Sequence, residues 1–343
     1  MNSKINNNEF DVISLQETAE DRQYSFTPKI FDDYLGQAEL KEKLKVYTTA
    51  AKMRDEPLDH MLLFGPPGLG KTTLSQIMAN VMNVGIKIIS GPMIERTGDL
   101  VAIISGLDKH DILFIDEIHR MPSNVEEILY TAMEQFRVDV IVGQGAGAKS
   151  INLPLNPFTL IGATTKSGML SAPLRSRFGI SERLDFYTDE ELQNIVLQSA
   201  KFLKVDISPE SALMIGKCSR GTPRIAKKIL RRVRDFAQVN NENKITEELV
   251  KKSLSFLGIN KDGLSKVDMM ILRTIVEHFN GGPVGLETIA SIIGEDKETI
   301  EAVYEPFLMR KGFLEKTPRG RQITAKKLPL LKSKFLGQKT LLS

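Results

Sequence analysis

The sequence predicts an α/β domain built on a parallel sheet, followed by a small all-helical domain and a C-terminal winged-helix domain. Three observations carry that reading. Short apolar runs alternate with amphipathic helical patterns to about residue 185, strand signals stop beyond Tyr187, and the chain closes with three helix-like segments and a basic, turn-forming ribbon. A chain of 343 residues, 41% hydrophobic and 26% charged, is long enough for two or three compact units and can bury a sizeable core. The expected domains are 1–187, 188–258 and 261–343, with "GINKDG" (258–263) as a linker.

Residues 1–25 are polar and lack the apolar stretch of a secretory signal, and nowhere do 18 apolar residues run together, so a cytoplasmic protein with no membrane association is expected. Leu40, Leu44, Tyr47 and Ala51 fall at helical spacing within Gln37–Arg54. "HMLLFG" (60–65) reads as a short strand ending in glycine, and Lys71–Asn83 as a helix with Leu74, Ile77, Met78, Val81 and Met82 on one face. Further strands are expected at "GIKIIS", "DILFID" and "FTLIGATT". Residues 137–155 alternate Val138, Val140 and Val142, break at "GQGAGA" and resume at Ile151 and Leu153, a hairpin whose apolar face is either core or an exposed docking surface. Thr188 and the acids after it cap a helix with Leu192, Ile195, Val196 and Ser199 in register, and helical patterns continue to 258. Beyond the linker the order of three helices and a hairpin is that of a winged helix.

The formal net charge of +3 is unevenly spread. Pro306–Ser343 holds ten Lys or Arg against the single acid Glu315, and 217–234 holds eight with no acid. Either run reads as a solvated face or as an anion-binding surface. In the ribbon "GFLEKTPRGRQIT", Lys316, Arg319 and Arg321 surround a turn without an interleaved aromatic, which suits duplex phosphates better than stacked single-stranded bases. One cysteine, Cys218, excludes an intrachain disulfide, and the four histidines show no ligand spacing, so a metal is expected only with a substrate.

"GPPGLGKT" (65–72) matches the G-x-x-x-x-G-K-[ST] phosphate loop between a strand and a helix. Glycines let backbone N–H groups curl around phosphates, Lys71 reaches the β- and γ-phosphates, and the Thr72 hydroxyl helps hold Mg²⁺. "ILFIDE" ends a strand in Asp116, suited to Mg²⁺, and Glu117, suited to orienting the attacking water. His119 is expected to be structural. Thr164 and Thr165 end the next strand, beside the phosphate end of the site. Arg175 and Arg177 of "SAPLRSRFG" are candidates to stabilise the transferring phosphoryl group, from a neighbouring subunit if necessary. Arg224 in "RGTPR" is either a surface residue or a lid contact to nucleotide.

The ordered set "GPPGLGKT", "LFIDEIHR", "GATT", "LRSRFGI" and "RGTPRIA", closed by a winged helix with "TPRGR", resembles the RuvB family of AAA+ ATPases, bacterial Holliday-junction branch-migration motors, from about Phe26 to Lys327. The resemblance implies a AAA+ P-loop NTPase domain, a helical lid and a winged-helix head, with ATP and Mg²⁺ as cofactors. It implies that Gly68, Gly70, Lys71, Thr72 and Thr73 bind nucleotide, that Thr72 and Asp116 serve the metal, and that Asp116 and Glu117 form the Walker B pair. Sensor 1 falls on Thr164 or Thr165, with Thr165 preferred; Arg177 becomes a finger acting in trans and Arg224 becomes sensor 2. Phe26, Thr27, Glu134, Gln135, Phe136 and Tyr187 are implied nucleotide contacts, and Lys316 and Arg321, with Arg319 between them, DNA contacts. The implied partners are double-stranded DNA at four-way junctions, a RuvA-like tetramer on the 137–155 hairpin, a RuvC-like resolvase and further copies of the chain in a homohexamer. The chain departs from the family at Thr27 and Lys316, where arginines are usual, and at Gln135, where an aspartate is usual. Two alternatives share the same core: a clamp-loader or remodelling ATPase, and a nucleotide-switched DNA-binding regulator.

Overall fold

The computed structural model describes residues 26–142 and 149–336. The glycine-rich break at 143–148 and the polar N-terminal stretch lie outside the described residues. The chain divides into two compact units, Phe26–Tyr187 and the residues from Thr188 on.

In the first unit, helix α1 (Ala38–Arg54) leads into strand β1 (Met61–Phe64), helix α2 (Lys71–Met82), β2 (Ile86–Ser90), α3 (Thr97–Ser105), β3 (Ile112–Asp116) and α4 (Ser123–Gln135). The hairpin β4 (Arg137–Val142) and β5 (Lys149–Pro154) follows, then β6 (Thr159–Thr164), a short α5 (Ala172–Ser176) and β7 (Ile180–Arg183). Five strands form one parallel sheet in the order β2-β3-β6-β1-β7. β6 is buried at every position, as the central strand of a sheet covered on both faces must be. β7 was not expected: "ISER" is short and largely polar because it is an edge strand with only Ile180 buried.

One face of the sheet packs Leu113, Ile115, Leu160 and Phe158 against Leu100 and Ile104 of α3 and Val125, Leu129 and Ala132 of α4. Val138 is fully buried in this same core, the core alternative for the hairpin's apolar face at that position. Ile151, paired across the ladder with Val140, is half-exposed. His60 closes the lower edge of the core. Its Nδ1 accepts from the Leu160 N–H at 2.9 Å, which leaves Nε2–H to donate to the Met133 carbonyl at 3.0 Å. Burial pushes its pKa down, and the ring packs against Phe136 and Phe158.

The second unit opens with α6 (Asp189–Phe202), capped as anticipated by Thr188, with Glu191 bonding back to the Thr188 N–H. Helices α7 (Pro209–Cys218), α8 (Pro223–Val239) and α9 (Glu247–Phe256) complete a helical module, together with a two-residue parallel ladder of β8 (Asp206–Ile207) and β9 (Lys244–Ile245) that the sequence reading missed. The winged helix comprises α10 (Lys266–Phe279), α11 (Leu286–Ile293), and a third helix made of α12 (Lys297–Thr299), a π-helical turn Ile300–Tyr304 and α13 (Glu305–Arg310). Pro306, lacking an N–H, removes one rung of the α ladder at this register change. The wing strands β10 (Leu314–Thr317) and β11 (Gly320–Ile323) pair antiparallel, and a final helix, α14 (Leu328–Leu336), buries Leu331 and Phe335.

The 258–263 stretch does not separate independent bodies. Arg220, 3% exposed, bonds from the helical module to Asp268 and, at 3.2 Å, to Ser265 Oγ at the start of α10. Its guanidinium carbon sits 4.7 Å from the Phe307 ring centroid. A fully buried carboxylate paired to a buried guanidinium locks the two modules together. Among the described residues no helix is long and apolar enough to cross a membrane.

Candidate functional site

The parallel sheet aligns the carboxyl ends of its strands. Phe64 pairs with Thr164, and Ser90 with Asp116, so the loops after β1, β2, β3 and β6 leave from one edge, the edge where open α/β sheets bind ligands.

After β1 the chain turns through Gly65, Gly68 and Gly70, with φ of +140°, +78° and +101°. A Cβ on Gly65 would lie 2.4 Å from the Leu184 carbonyl oxygen, and one on Gly70 would lie 2.9 Å from the Tyr34 hydroxyl, so both close approaches require glycine. α2 then starts at Lys71 with no side chain capping its N-terminus. That end carries partial positive charge, and its first N–H groups, among them those of Thr72 and Thr73, have no intrahelical acceptor. The Lys71 ammonium, 8% exposed, donates to the Gly65 and Pro66 carbonyls at 2.8 and 2.9 Å, folded over its own loop. Two tyrosines brace the loop: the Tyr34 and Tyr187 hydroxyls are 2.7 Å apart and lie 3.2 and 3.1 Å from the Leu69 carbonyl oxygen. Tyr34 was not anticipated.

β3 ends in Asp116, whose Oδ1 accepts the Glu117 N–H at 3.0 Å. Glu117 itself turns the chain at φ +49°, and its Oε2 receives the Arg120 guanidinium at 3.0 Å in a half-exposed pair. On β6, Thr164 is buried; its Oγ1 accepts the Lys166 N–H at 3.0 Å and lies 2.9 Å from His119 Nδ1. Thr165 is exposed. The edge thus gathers Gly68, Gly70, Lys71, Thr72, Thr73, Asp116, Glu117 and Thr165, with Tyr187 behind the loop. An uncapped helix N-terminus, a glycine cradle and a lysine suit a polyphosphate. Of the side chains at this edge, the Thr72 hydroxyl and the Asp116 carboxylate offer oxygen ligands suited to a divalent cation.

Arg177, Glu134 and Phe136 belong elsewhere. Phe136 packs on His60, which precedes β1, whereas the phosphate loop follows it. Arg177 precedes β7, whose first residue Ile180 pairs with Met61 at the start of β1. A four-residue strand spans about 13 Å, so these residues sit at the opposite edge of the sheet from their own phosphate loop. There Arg177 Nε is 3.0 Å from Glu134 Oε1, Nη1 donates to the Pro173 carbonyl at 2.8 Å, and the guanidinium lies 4.4 Å over the Tyr130 ring. Gln135 is exposed beside them. Phe26 is partly buried and Thr27 exposed, near the Lys29 carbonyl that accepts from Asn80 of α2. Arg224 is the second residue of α8 in the second unit and is partly buried.

The three basic residues of the wing differ in their surroundings. Lys316 and Arg319 are exposed, but the Arg321 side chain is 12% exposed and engaged. Its Nε donates to Glu305 Oε2 at 3.0 Å and its Nη2 to Oε1 at 3.2 Å, because Glu305, 4% exposed, requires a cation. Arg321 is therefore tied to the helix before the wing through Glu305. The helix that precedes the wing exposes Asp296, Glu298 and Glu301, the last 3.9 Å from Lys316.

Three family models match the chain in succession: the Holliday junction DNA helicase RuvB P-loop domain over 26–184, the RuvB AAA lid domain over 187–260 and the RuvB C-terminal winged helix domain over 261–332. The Holliday junction branch migration complex subunit RuvB of Staphylococcus haemolyticus is 54% identical over 303 residues, covering 88% of this chain and 92% of that protein. Among solved structures, the Thermotoga maritima RuvB Holliday junction branch migration motor is 47% identical with a TM-score of 0.80, covering 89% of this chain and 98% of its own. The Aeropyrum pernix ORC2 protein, 16% identical with a TM-score of 0.52, covers 93% of this chain and shares the fold alone. Family models over all three structural modules, together with a close relative matched over most of both chains, show that this chain belongs to the RuvB family.

Proposed function

We propose that this chain is an ATP-hydrolysing DNA motor that drives branch migration of four-way junctions in recombination and repair. The observation that carries the motor reading is the split of the site between two edges of one sheet. Lys71, Asp116, Glu117 and Thr165 meet at the carboxyl edge, whereas Arg177 is held about 13 Å of strand away. That separation supports a finger role for Arg177 toward a second copy of the chain rather than toward its own phosphate loop. Glu134, Gln135 and Phe136 share that edge and would line the neighbour's nucleotide in the same way.

In the proposed reaction Lys71 leaves the Gly65 and Pro66 carbonyls to contact the β- and γ-phosphates, and the helix N-terminus at Thr72 and Thr73 receives the negative charge. Glu117 orients the attacking water and takes its proton, which requires the carboxylate to leave Arg120. Thr165 holds the γ-phosphate end, Tyr187, Phe26 and Thr27 border the nucleotide, and Arg224 acts as sensor 2. Thr72 and Asp116 would hold Mg²⁺, whose chemistry when bound would be charge neutralisation on the phosphates. Lys316 and Arg319 contact duplex phosphates.

A hexameric ring, a RuvA-like tetramer docked on the 137–155 hairpin and a RuvC-like resolvase in the wider assembly complete the proposal. Family membership supports them, and the half-exposed Ile151 supports the hairpin. The test is ATP-dependent migration of a synthetic four-way junction by the purified chain with its RuvA-like partner. Glu117→Gln, which keeps the shape and removes the base, is expected to bind ATP without hydrolysing it or moving the junction. Hydrolysis without junction movement would favour a clamp-loader-like remodeller; duplex binding confined to one sequence would favour a regulator.

A further inference from the structure

If Glu117 orients the water and Thr165 senses the γ-phosphate, the two must keep a fixed separation although they lie beyond the ends of different strands. The backbone does not provide this. The register between β3 and β6 ends with Ile115 opposite Gly162, before either strand reaches its functional residue. Beyond that pair the chain from β3 bends into a 3-10 turn, Ile118–Arg120, and β6 continues to Thr164 and Thr165. Two side chains of that turn reach β6: Ile118, fully buried, packs over Gly162, and His119 makes the polar link nearest the functional residues, its Nδ1 2.9 Å from Thr164 Oγ1. Thr164 is 1% exposed and also accepts the Lys166 N–H, so its hydroxyl is anchored on both sides. The same turn is confined from the β2 side, where a Cβ on Gly91 would lie 2.6 Å from the Glu117 carbonyl oxygen.

We infer that His119 is a positioning residue for hydrolysis: by bonding Thr164 it holds the turn that carries Glu117 against the strand end that carries Thr165. This rests on the reading of Glu117 and Thr165 given above. In this role His119 acts through Thr164. The relation differs from a core histidine such as His60, whose two nitrogens bond backbone groups away from the carboxyl edge.

The test uses full-length protein, with steady-state ATPase as one readout and the affinity for a fluorescent ATP analogue as the other. A displacement of the base relative to the phosphoryl group lowers kcat without altering binding, so His119→Ala is expected to reduce kcat by about 10- to 100-fold with analogue affinity within about twofold of wild type. His119→Asn, whose amide can bond Thr164 from the place of Nδ1, is expected to recover kcat to within about fivefold. Thr164→Val, nearly isosteric, is expected to show the His119→Ala loss, and the double variant to be no worse than either single one, the signature of two residues acting through one contact. Unchanged kcat in a folded His119→Ala protein, multiplicative losses in the double variant, or equal loss in His119→Asn and His119→Ala would each overturn the inference. Should His119→Ala fail to fold, His119→Asn against Thr164→Val decides the question alone: a wild-type rate in Thr164→Val would sink it. Hydrolysis by Glu117→Gln would instead overturn the underlying assignment, so the two failures are separable.

Discussion

Replacing Arg321 by alanine is expected to loosen the wing before it affects any DNA contact. The substitution removes a guanidinium that bonds Glu305 through Nε at 3.0 Å and through Nη2 at 3.2 Å, and leaves a carboxylate that is only 4% exposed without its cation. Breaking a buried pair from one side costs about 3–5 kcal/mol. Because Arg321 keeps 12% of its side-chain surface and Glu301 lies 3.8 Å away, water can enter, and the lower end, about 3 kcal/mol, is the expected cost. The backbone bonds between Val284 and Arg321, 2.8 and 2.9 Å, remain, so the loss is confined to the winged helix. Amide hydrogen exchange on the full-length chain resolves it: protection of β10, β11 and α13 should fall by about a hundredfold, with the first unit unchanged. Arg319→Ala is the comparison. It should leave exchange untouched, weaken binding to unrelated duplexes alike, and reduce the log–log salt slope by about 0.9 for one phosphate contact. Combining Arg321→Met with Glu305→Leu should restore most of the protection, because neither charge then remains buried alone. Wild-type protection in Arg321→Ala, with a duplex-binding loss matching Arg319→Ala, would refute the reasoning and return Arg321 to the DNA.

Three further expectations follow from particular contacts. Arg177→Ala subunits should hydrolyse ATP poorly alone yet regain activity when mixed with Lys71→Ala subunits, since each lacks what the other keeps; a monomer with full activity would exclude action in trans. Ile151→Ser should preserve ATPase and duplex binding while reducing junction migration stimulated by the partner, and unchanged partner affinity in a pull-down would remove the hairpin from that interface. His60 has its folded pKa held below the usual value near 6.5 by burial, so the unfolded chain takes the proton first. The stability contributed by the neutral ring is complete above about pH 6.5 and lost as pH falls towards the folded pKa, at about 1.4 kcal/mol per unit of depression. The melting temperature should therefore drop between pH 7.5 and 5.5, with a shallower slope in His60→Gln, and equal slopes would exonerate His60.

What could be read from the sequence was what is local. The phosphate loop is eight consecutive residues with a strand before and a helix after, and β1, β3 and β6 announce themselves as apolar runs because they are buried on both faces. β7 escaped because an edge strand needs only one buried residue, and the two-residue ladder of β8 and β9 is too short to have a period. Tyr34 and Tyr187 meet across 153 positions, and His119 and Thr164 across 45, separations that no spacing rule links without the strand order. The pairing of Arg321 was out of reach for a different reason. A basic ribbon shows where positive charge lies along the chain but not which cation is spoken for, and the partner that claims Arg321 is a glutamate 16 residues earlier on another element. For the hairpin the sequence left core and surface both open, and the fold decides at Val138, which is fully buried in the core cluster that also holds Phe158 and residues of α4.

The acids on the helix before the wing bear on how smoothly a DNA-translocating protein can travel. Asp296, Glu298 and Glu301 are exposed on the segment that a winged helix would otherwise lay into the major groove. Between two phosphate strands those acids, offset in part by the exposed Lys297 among them, would be repelled, and a grip through Lys316 and Arg319 of the wing would hold the helix off the base edges. A protein held this way meets an almost identical well at every base pair, because the phosphates recur while the bases vary. The energy along the track is then nearly flat apart from its own repeat, each advance releases one phosphate contact as it gains its equivalent, and no sequence becomes a place to stall.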